Sequence, residues 1–188
     1  MVNQREIGTD TEDYATALRR VLRQDPDVIF IGEMRDPETV WAALSAAETG
    51  HLVLSTLHTT NATETVNRIV DFFPPFQQKQ VRLTLASSLR GVVSQRLLER
   101  ADGKGRVPAT ETLVMTGRVF DRIVDPDQGQ ESIEEIIADG EYYGMQTFDQ
   151  SLFNLYKNGL VSLRDAMGVA SHPHDFRIAL QQAGLSTS

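Results

Sequence analysis

Val28-Ile29-Phe30-Ile31, set between Asp25-Pro26-Asp27 and Gly32-Glu33, is the stretch that most narrows the possible folds. Four consecutive apolar residues, three of them β-branched and bounded by turn formers, are too few for a helix and suit a short strand. The run is unbroken rather than alternating. That predicts a strand covered on both faces, as in the parallel sheet of an α/β domain. Glu33 follows at the carboxyl end of this strand, the edge where open α/β sheets bind ligands. A helix begins almost at once, with Asp36 as N-cap and Pro37 at the first helical position, where its missing N–H costs nothing. Val40, Leu44 and Ala47 mark its packed face, and Gly50 is suited to close it.

The pattern then repeats. His51 to Thr56 reads as a second short strand, and His58 lies just beyond its carboxyl end in the loop LHTTN. Asn61 and Glu64 have the spacing of a capping box for a helix through about Phe72, with Val66, Ile69, Val70 and Phe73 as its apolar stripe and Pro74-Pro75 as its stop. Strand, helix, strand, helix with short connections implies parallel strands joined by right-handed crossovers. Glu33 and His58 then fall on the same sheet edge, and an acid converging with an imidazole is a better site candidate than either alone.

Around this centre, Val2 to Ile7 has the composition of a short strand, and Asp10 or Thr11 can cap a helix through about Gln24. Arg19 and Arg23 are four apart on that helix and share a face. Downstream, a helix over about Phe76 to Ser88 leads into a hairpin of Gly91 to Glu99 and Arg106 to Met115. The remainder reads as helices: one capped by Thr116, one from Ser132 to Ala138, one opened by Thr147 and Gln150, one opened by Ser162 and Asp165, and one from Pro173 to Ala183. Phe148, Leu152, Leu155 and Tyr156 recur at helical spacing and are expected in a core. The expected division is therefore an α/β part, 1–115, and a helical subdomain, 116–188.

Composition removes several classes of function. A formal net charge of −8 argues against a nucleic-acid-coating surface. With no cysteine in the chain, disulfides, thiolate zinc sites and a catalytic thiol are excluded. His172-Pro173-His174 has a spacing that does not bring two rings onto one helix face, so it is a poor metal site. No G-x-S-x-G elbow and no G-x-x-x-x-G-K-[ST] phosphate cradle occurs in these 188 residues.

Two contiguous blocks, LRRVLRQDPDVIFIGEMRD and ALSAAETGHLVLSTLHTTNATET, closely resemble the secretion-type ATPases of type IV pili and type II secretion, where they form the Walker B region and the His box. The resemblance runs from Val2 to about Met115 and more loosely into the tail. It implies an α/β fold with a partial RecA-like P-loop NTPase core, a mostly parallel sheet with an antiparallel hairpin, followed by a C-terminal helical subdomain. It also implies a homohexamer that converts ATP hydrolysis, with Mg²⁺, into mechanical work. Such motors sit in the cytoplasm against the inner face of the membrane, on a pilus platform protein, with no nucleic acid and no zinc.

Residue by residue, the resemblance puts Glu33 at the Walker B glutamate, expected to hold Mg²⁺ through water or to polarise the attacking water. Gly32 stands where other P-loop ATPases carry an aspartate, and His58 and His51 match the two histidines of the His box. Arg19, Arg23 and Arg35 match family arginines able to neutralise charge on a transferring phosphoryl group, and Arg5 is a further candidate. The turn ADGKG stands where assembly and type II secretion members carry a four-cysteine zinc segment, and Gly32-Glu33-Met34-Arg35 resembles the retraction (PilT-type) branch. The retraction helix motif resembling AIRNLIRE is replaced by GRVFDRIVDPDQ, with Arg118 and Arg122 in its place. In the family the Walker A loop precedes the matched segment. The implied function is the carboxyl-terminal part of a motor for pilus retraction, the alternatives being an assembly or secretion motor or a non-catalytic partner of an intact one. On its own, this chain is expected to bind ATP weakly and hydrolyse it negligibly.

Overall fold

The computed structural model describes residues 3–129 and 131–185, apart from the side chains of Ala15 and Leu22. Its contacts group the chain into two compact units, residues through 59 with 64–89 and 120–128, and residues 60–63 with 90–119 and the remainder.

In the first unit, β1 (Val28–Ile31) pairs in parallel with β2 (Leu52–Ser55) through the crossover helix α2 (Pro37–Glu48). The start of α2 follows from its sequence: the Asp36 carboxylate accepts from the Thr39 amide at 2.7 Å, and Pro37 occupies the first turn. Its end is closed by Gly50, whose φ of +96° is open to glycine at little cost. Ahead of β1, α1 (Tyr14–Val21) tightens into a 3-10 turn at Leu22–Gln24 and stops at Asp25 in the left-handed region. The cap of α1 is neither Asp10 nor Thr11. Asp13 accepts from the Thr16 amide at 2.6 Å, while Asp10 accepts from the amide of Glu6 in the preceding turn. The expected strand over Val2 to Ile7 is also absent among the described residues: Val2 lies outside them, 3–6 carry no regular structure, and Ile7 makes only an isolated bridge to Thr11.

Ile29 and Ile31 pack with Leu18, Ala43 and Ala46 into one core. The other face of the pair is different. Phe30 is 69% exposed, and Val28, Leu52 and Leu54 are exposed beside it. The expectation of cover on both faces fails here, because the helices that pack on β1 and β2 lie on one side and, among the described residues, the sheet is two strands wide. Helices α3 (Ala62–Asp71) and α4 (Pro75–Ser88) complete this part, with the Pro74-Pro75 break between them.

The second unit is built on the hairpin β3 (Gly91–Glu99) and β4 (Arg106–Val114), whose antiparallel register runs from Gly91↔Val114 to Glu99↔Arg106. After α5 (Gly117–Val124) come α6 (Ile133–Ala138), α7 (Phe148–Lys157), α8 (Leu163–Val169) and α9 (Pro173–Gln182). Reciprocal capping boxes open α6 (Ser132 with Glu135) and α7 (Thr147 with Gln150), and Ser162 caps α8. Leu98 and Ala109 of the hairpin share one core with Phe148, Leu152, Val161, Ala166, Phe176 and Leu180. The Thr110 amide donates to the Ser151 hydroxyl at 3.0 Å, and Thr112 and Gln146 exchange backbone hydrogen bonds. By contact the hairpin groups with α6 to α9, while residues 120–128 group with the first unit.

The two faces of β1 make a direct comparison. Replacing Ile31, 2% exposed, by alanine should cost about 2–5 kcal/mol through lost burial and a residual cavity. Phe30→Thr on the open face should stay within about 0.5 kcal/mol of the parent. Urea unfolding of the two variants tests this, and equal losses would contradict the one-sided core.

Candidate functional site

Parallel pairing brings the carboxyl ends of β1 and β2 together, and each strand there runs into a short loop that bears ionisable side chains. Glu33 follows β1 by two residues, and His58 follows β2 by three. Their side chains meet: His58 Nε2 lies 3.0 Å from Glu33 Oε1. The other carboxylate oxygen, Oε2, takes Arg35 Nη2 at 2.6 Å. Both oxygens of Glu33 thus have a nitrogen partner. Its side chain is 21% exposed, against 76% for Arg35 and 86% for His58.

Arg35, and to a lesser degree His58, holds the Glu33 carboxyl below the usual carboxylate range, against a smaller opposing effect of burial. Glu33 is therefore an anion at neutral pH, an acceptor only. As a carboxyl depressed in the folded state, its contribution to stability is present above the ordinary carboxylate value and disappears as pH falls through the lower folded value.

The remaining residues picked from sequence are placed as follows. Gly32 precedes Glu33 with an ordinary backbone; a β-carbon added there would meet nothing within 4 Å, so nothing in the chain itself demands glycine. His51 is at the opposite, amino-terminal end of β2. Its Nδ1 lies 3.0 Å from the Ala46 carbonyl and 3.0 Å from the Thr49 hydroxyl, which ties the ring to the end of α2. A carbonyl only accepts, so Nδ1 carries the proton in that bond. Within the chain His51 is thus not gathered with Glu33 and His58, since the length of β2 separates the two histidines. Arg19 lies near the Thr16 hydroxyl and lines a groove with Trp41, Phe72 and Phe73; Trp41 meets Phe73 edge-on at 6.1 Å between ring centres. Arg23 is exposed in the 3-10 turn, so the regular four-residue relation to Arg19 ends there. Arg5 is half-buried in the irregular segment before Ile7. Arg118 is held by Glu131, with Asp139 at 3.7 Å, and Arg122 donates to the Gln128 carbonyl. His172 pairs with Glu134 at 3.0 Å.

Two residues escaped the sequence reading. Thr56 hydrogen-bonds both chain neighbours of Glu33. Its signal was positional, since continuing the parallel register sets it opposite Gly32. Glu111 is a buried carboxyl that accepts from the Ala62 amide at 2.6 Å, and burial pushes it up. Its signal was the alternation of β4, where Ala109, Glu111 and Leu113 all point inward.

This chain belongs to the type II/IV secretion system protein family, whose pattern it matches over residues 2–149. Among its relatives are the twitching motility protein of Neisseria gonorrhoeae, 49% identical over 86% of this chain and 43% of the relative, and the type IV pilus retraction ATPase PilT of Pseudomonas aeruginosa, 45% identical over 94% of this chain and 50% of the relative. The crystal structure of the pilus retraction motor PilT with bound ADP is similar over 93% of this chain and 48% of that one, with 49% identity and a TM-score of 0.79. The chain spans about half the length of these relatives.

Removing the Arg35 charge should release Glu33. In Arg35→Gln the Glu33 carboxyl should titrate at a higher pH than in the parent, closer to the ordinary glutamate range, as read by carboxyl ¹³C chemical shifts. An unchanged titration would show that Arg35 does not hold the carboxylate in solution.

Proposed function

We propose that these residues are the Walker B and His-box portion of an ATPase motor that retracts type IV pili. The observation that carries the reading is the meeting of Glu33, Arg35 and His58 at one strand edge, in a chain 45–49% identical to a twitching motility protein and a pilus retraction ATPase. The bound nucleotide of the PilT structure supports an adenine nucleotide as ligand. When bound, ATP supplies the phosphoryl group and Mg²⁺ neutralises its charge. Mg²⁺ is usually held by one or two carboxylates together with phosphates and waters. Among the described residues no three acidic or histidine ligands form a metal cage, so Glu33 suits a single, water-mediated contact.

Within this reading Glu33 orients and holds a cation or water as an anion. His58 and Arg35 supply donors beside it, and the backbone at Gly32 leaves their edge uncrowded. Arg19, Arg23, Arg5 and His51 are candidates for contacts made with a further subunit or the rest of the nucleotide site. A homohexamer at the inner face of the cytoplasmic membrane, acting on a platform protein, is the assembly this function calls for.

The test is made at the native locus. Glu33→Gln should lower ATP turnover of the purified gene product by about 10²–10³-fold, the order lost when one preorganised charge-stabilising group is removed. Cells should stop twitching while surface pili accumulate. Loss of pili altogether would assign the motor to assembly, and unchanged turnover and motility would overturn the proposal. The 188 residues alone should hydrolyse Mg·ATP negligibly in a phosphate-release assay.

A further inference from the structure

Glu33 has a geometry that its own partners are poorly suited to maintain. Arg35 and His58 reach it with side chains that are mostly in water, and ion pairs so exposed contribute little to holding a conformation. The backbone on either side of the carboxylate is tied as well, close to the surface. The Thr56 hydroxyl donates to the Gly32 carbonyl at 2.5 Å, and the Met34 amide donates to the Thr56 carbonyl at 3.2 Å. These two bonds fall on the residues immediately before and after Glu33. Thr56 is also two residues from His58, so one residue roots both loops of the site. Loops so short have little freedom left once their bases are tied.

We propose that Thr56 is a positioning residue, whose hydroxyl and carbonyl bracket Glu33 and thereby set the carboxylate against the His58 ring. As a role in catalysis this rests on the ATPase reading above; as geometry it does not. Removing the hydroxyl leaves the Gly32 carbonyl to water and the Glu33 loop on one tether. Serine keeps the donor.

The proposal is tested by NMR on the 188-residue chain without nucleotide, through the NOE between the His58 ring protons and the Glu33 γ-methylene. The Ile31–Ser55 cross-strand NOE serves as the control for β1–β2 pairing. In Thr56→Val and Thr56→Ala the His58–Glu33 NOE should fall several-fold with the control intact, and Thr56→Ser should restore it. Retention of the NOE in the valine or alanine variant overturns the proposal. Loss of the control NOE in both variants overturns it as well, by making Thr56 a residue of the strand pairing. Because no nucleotide enters the experiment, its outcome is independent of whether the chain serves an ATPase, which the turnover measurement on Glu33→Gln decides separately.

Discussion

The parallel register Val28↔Leu52, Ile29↔Val53, Phe30↔Leu54, Ile31↔Ser55 is the constraint on which the first unit depends. Side chains alternate along a strand, so a slip of one residue would carry Ile29 and Ile31 out of the core and put Phe30 in their place. The same slip would move the two following loops past each other by about 3.3 Å, the rise of one strand residue, which is enough to part His58 from Glu33. Backbone bonds fix the register at both ends: the Leu52 amide donates to the Asp27 carbonyl at 3.1 Å, and Thr56 ties the Glu33 loop. Packing and chemistry are thus set by one alignment, with the apolar face choosing it and the charged loops inheriting it.

The second unit solves a different problem, that of burying one face of a long hairpin. Its inward alternation on β4 places Ala109 at a close approach and Leu113 at depth, with Glu111 between them. A buried carboxyl is costly unless it is partnered. Here the Ala62 amide, the first of α3, supplies a donor at the positive end of a helix, which offsets part of the cost. Arg96 shows the complementary device: its guanidinium lies 3.9 Å over the Phe148 ring and donates to the Val169 carbonyl at 2.8 Å, so a charged residue becomes part of the wall around Phe148.

The features legible in the sequence were those decided within a few residues. Asp36, Thr147 with Gln150 and Ser162 each act through a hydrogen bond spanning three positions, and each of these helices starts where its cap predicts. The cap of α1 falls on Asp13 rather than on Asp10 or Thr11 because Asp13 lies directly before Tyr14, the first residue of the helix, and the turn through Glu6 claims Asp10. The meeting of Glu33 and His58 was legible because one crossover helix with short connections at both ends leaves a parallel pair as the simplest topology. The exposure of Phe30 was not, because Val28-Ile29-Phe30-Ile31 is equally apolar toward both sides and nothing in it says which side is covered. His51 and His58 look alike in sequence, seven residues apart, and only a strand between them reveals that they face opposite ends of the sheet.

The electrostatics at Glu33 bear on which of its two expected roles suits it. A general base works best when its pKa lies near the operating pH, which for a carboxyl requires burial or a neighbouring anion. Glu33 has the reverse surroundings, a guanidinium on one oxygen and an imidazole on the other, and its carboxyl is held below the usual range. Such a group surrenders protons readily and is a weak proton acceptor. It is well made to remain an anion, to orient donors around it and to attract a cation. His58 is the neighbouring group whose ring offers both a donor and an acceptor nitrogen when neutral, and that ring is mostly in water while touching Glu33. The division of labour consistent with the geometry is an anionic Glu33 that organises charge and a His58 that it orients. Glutamine at position 33 would then keep the shape and lose the field, whereas alanine at position 58 would keep the field and lose the group it orients.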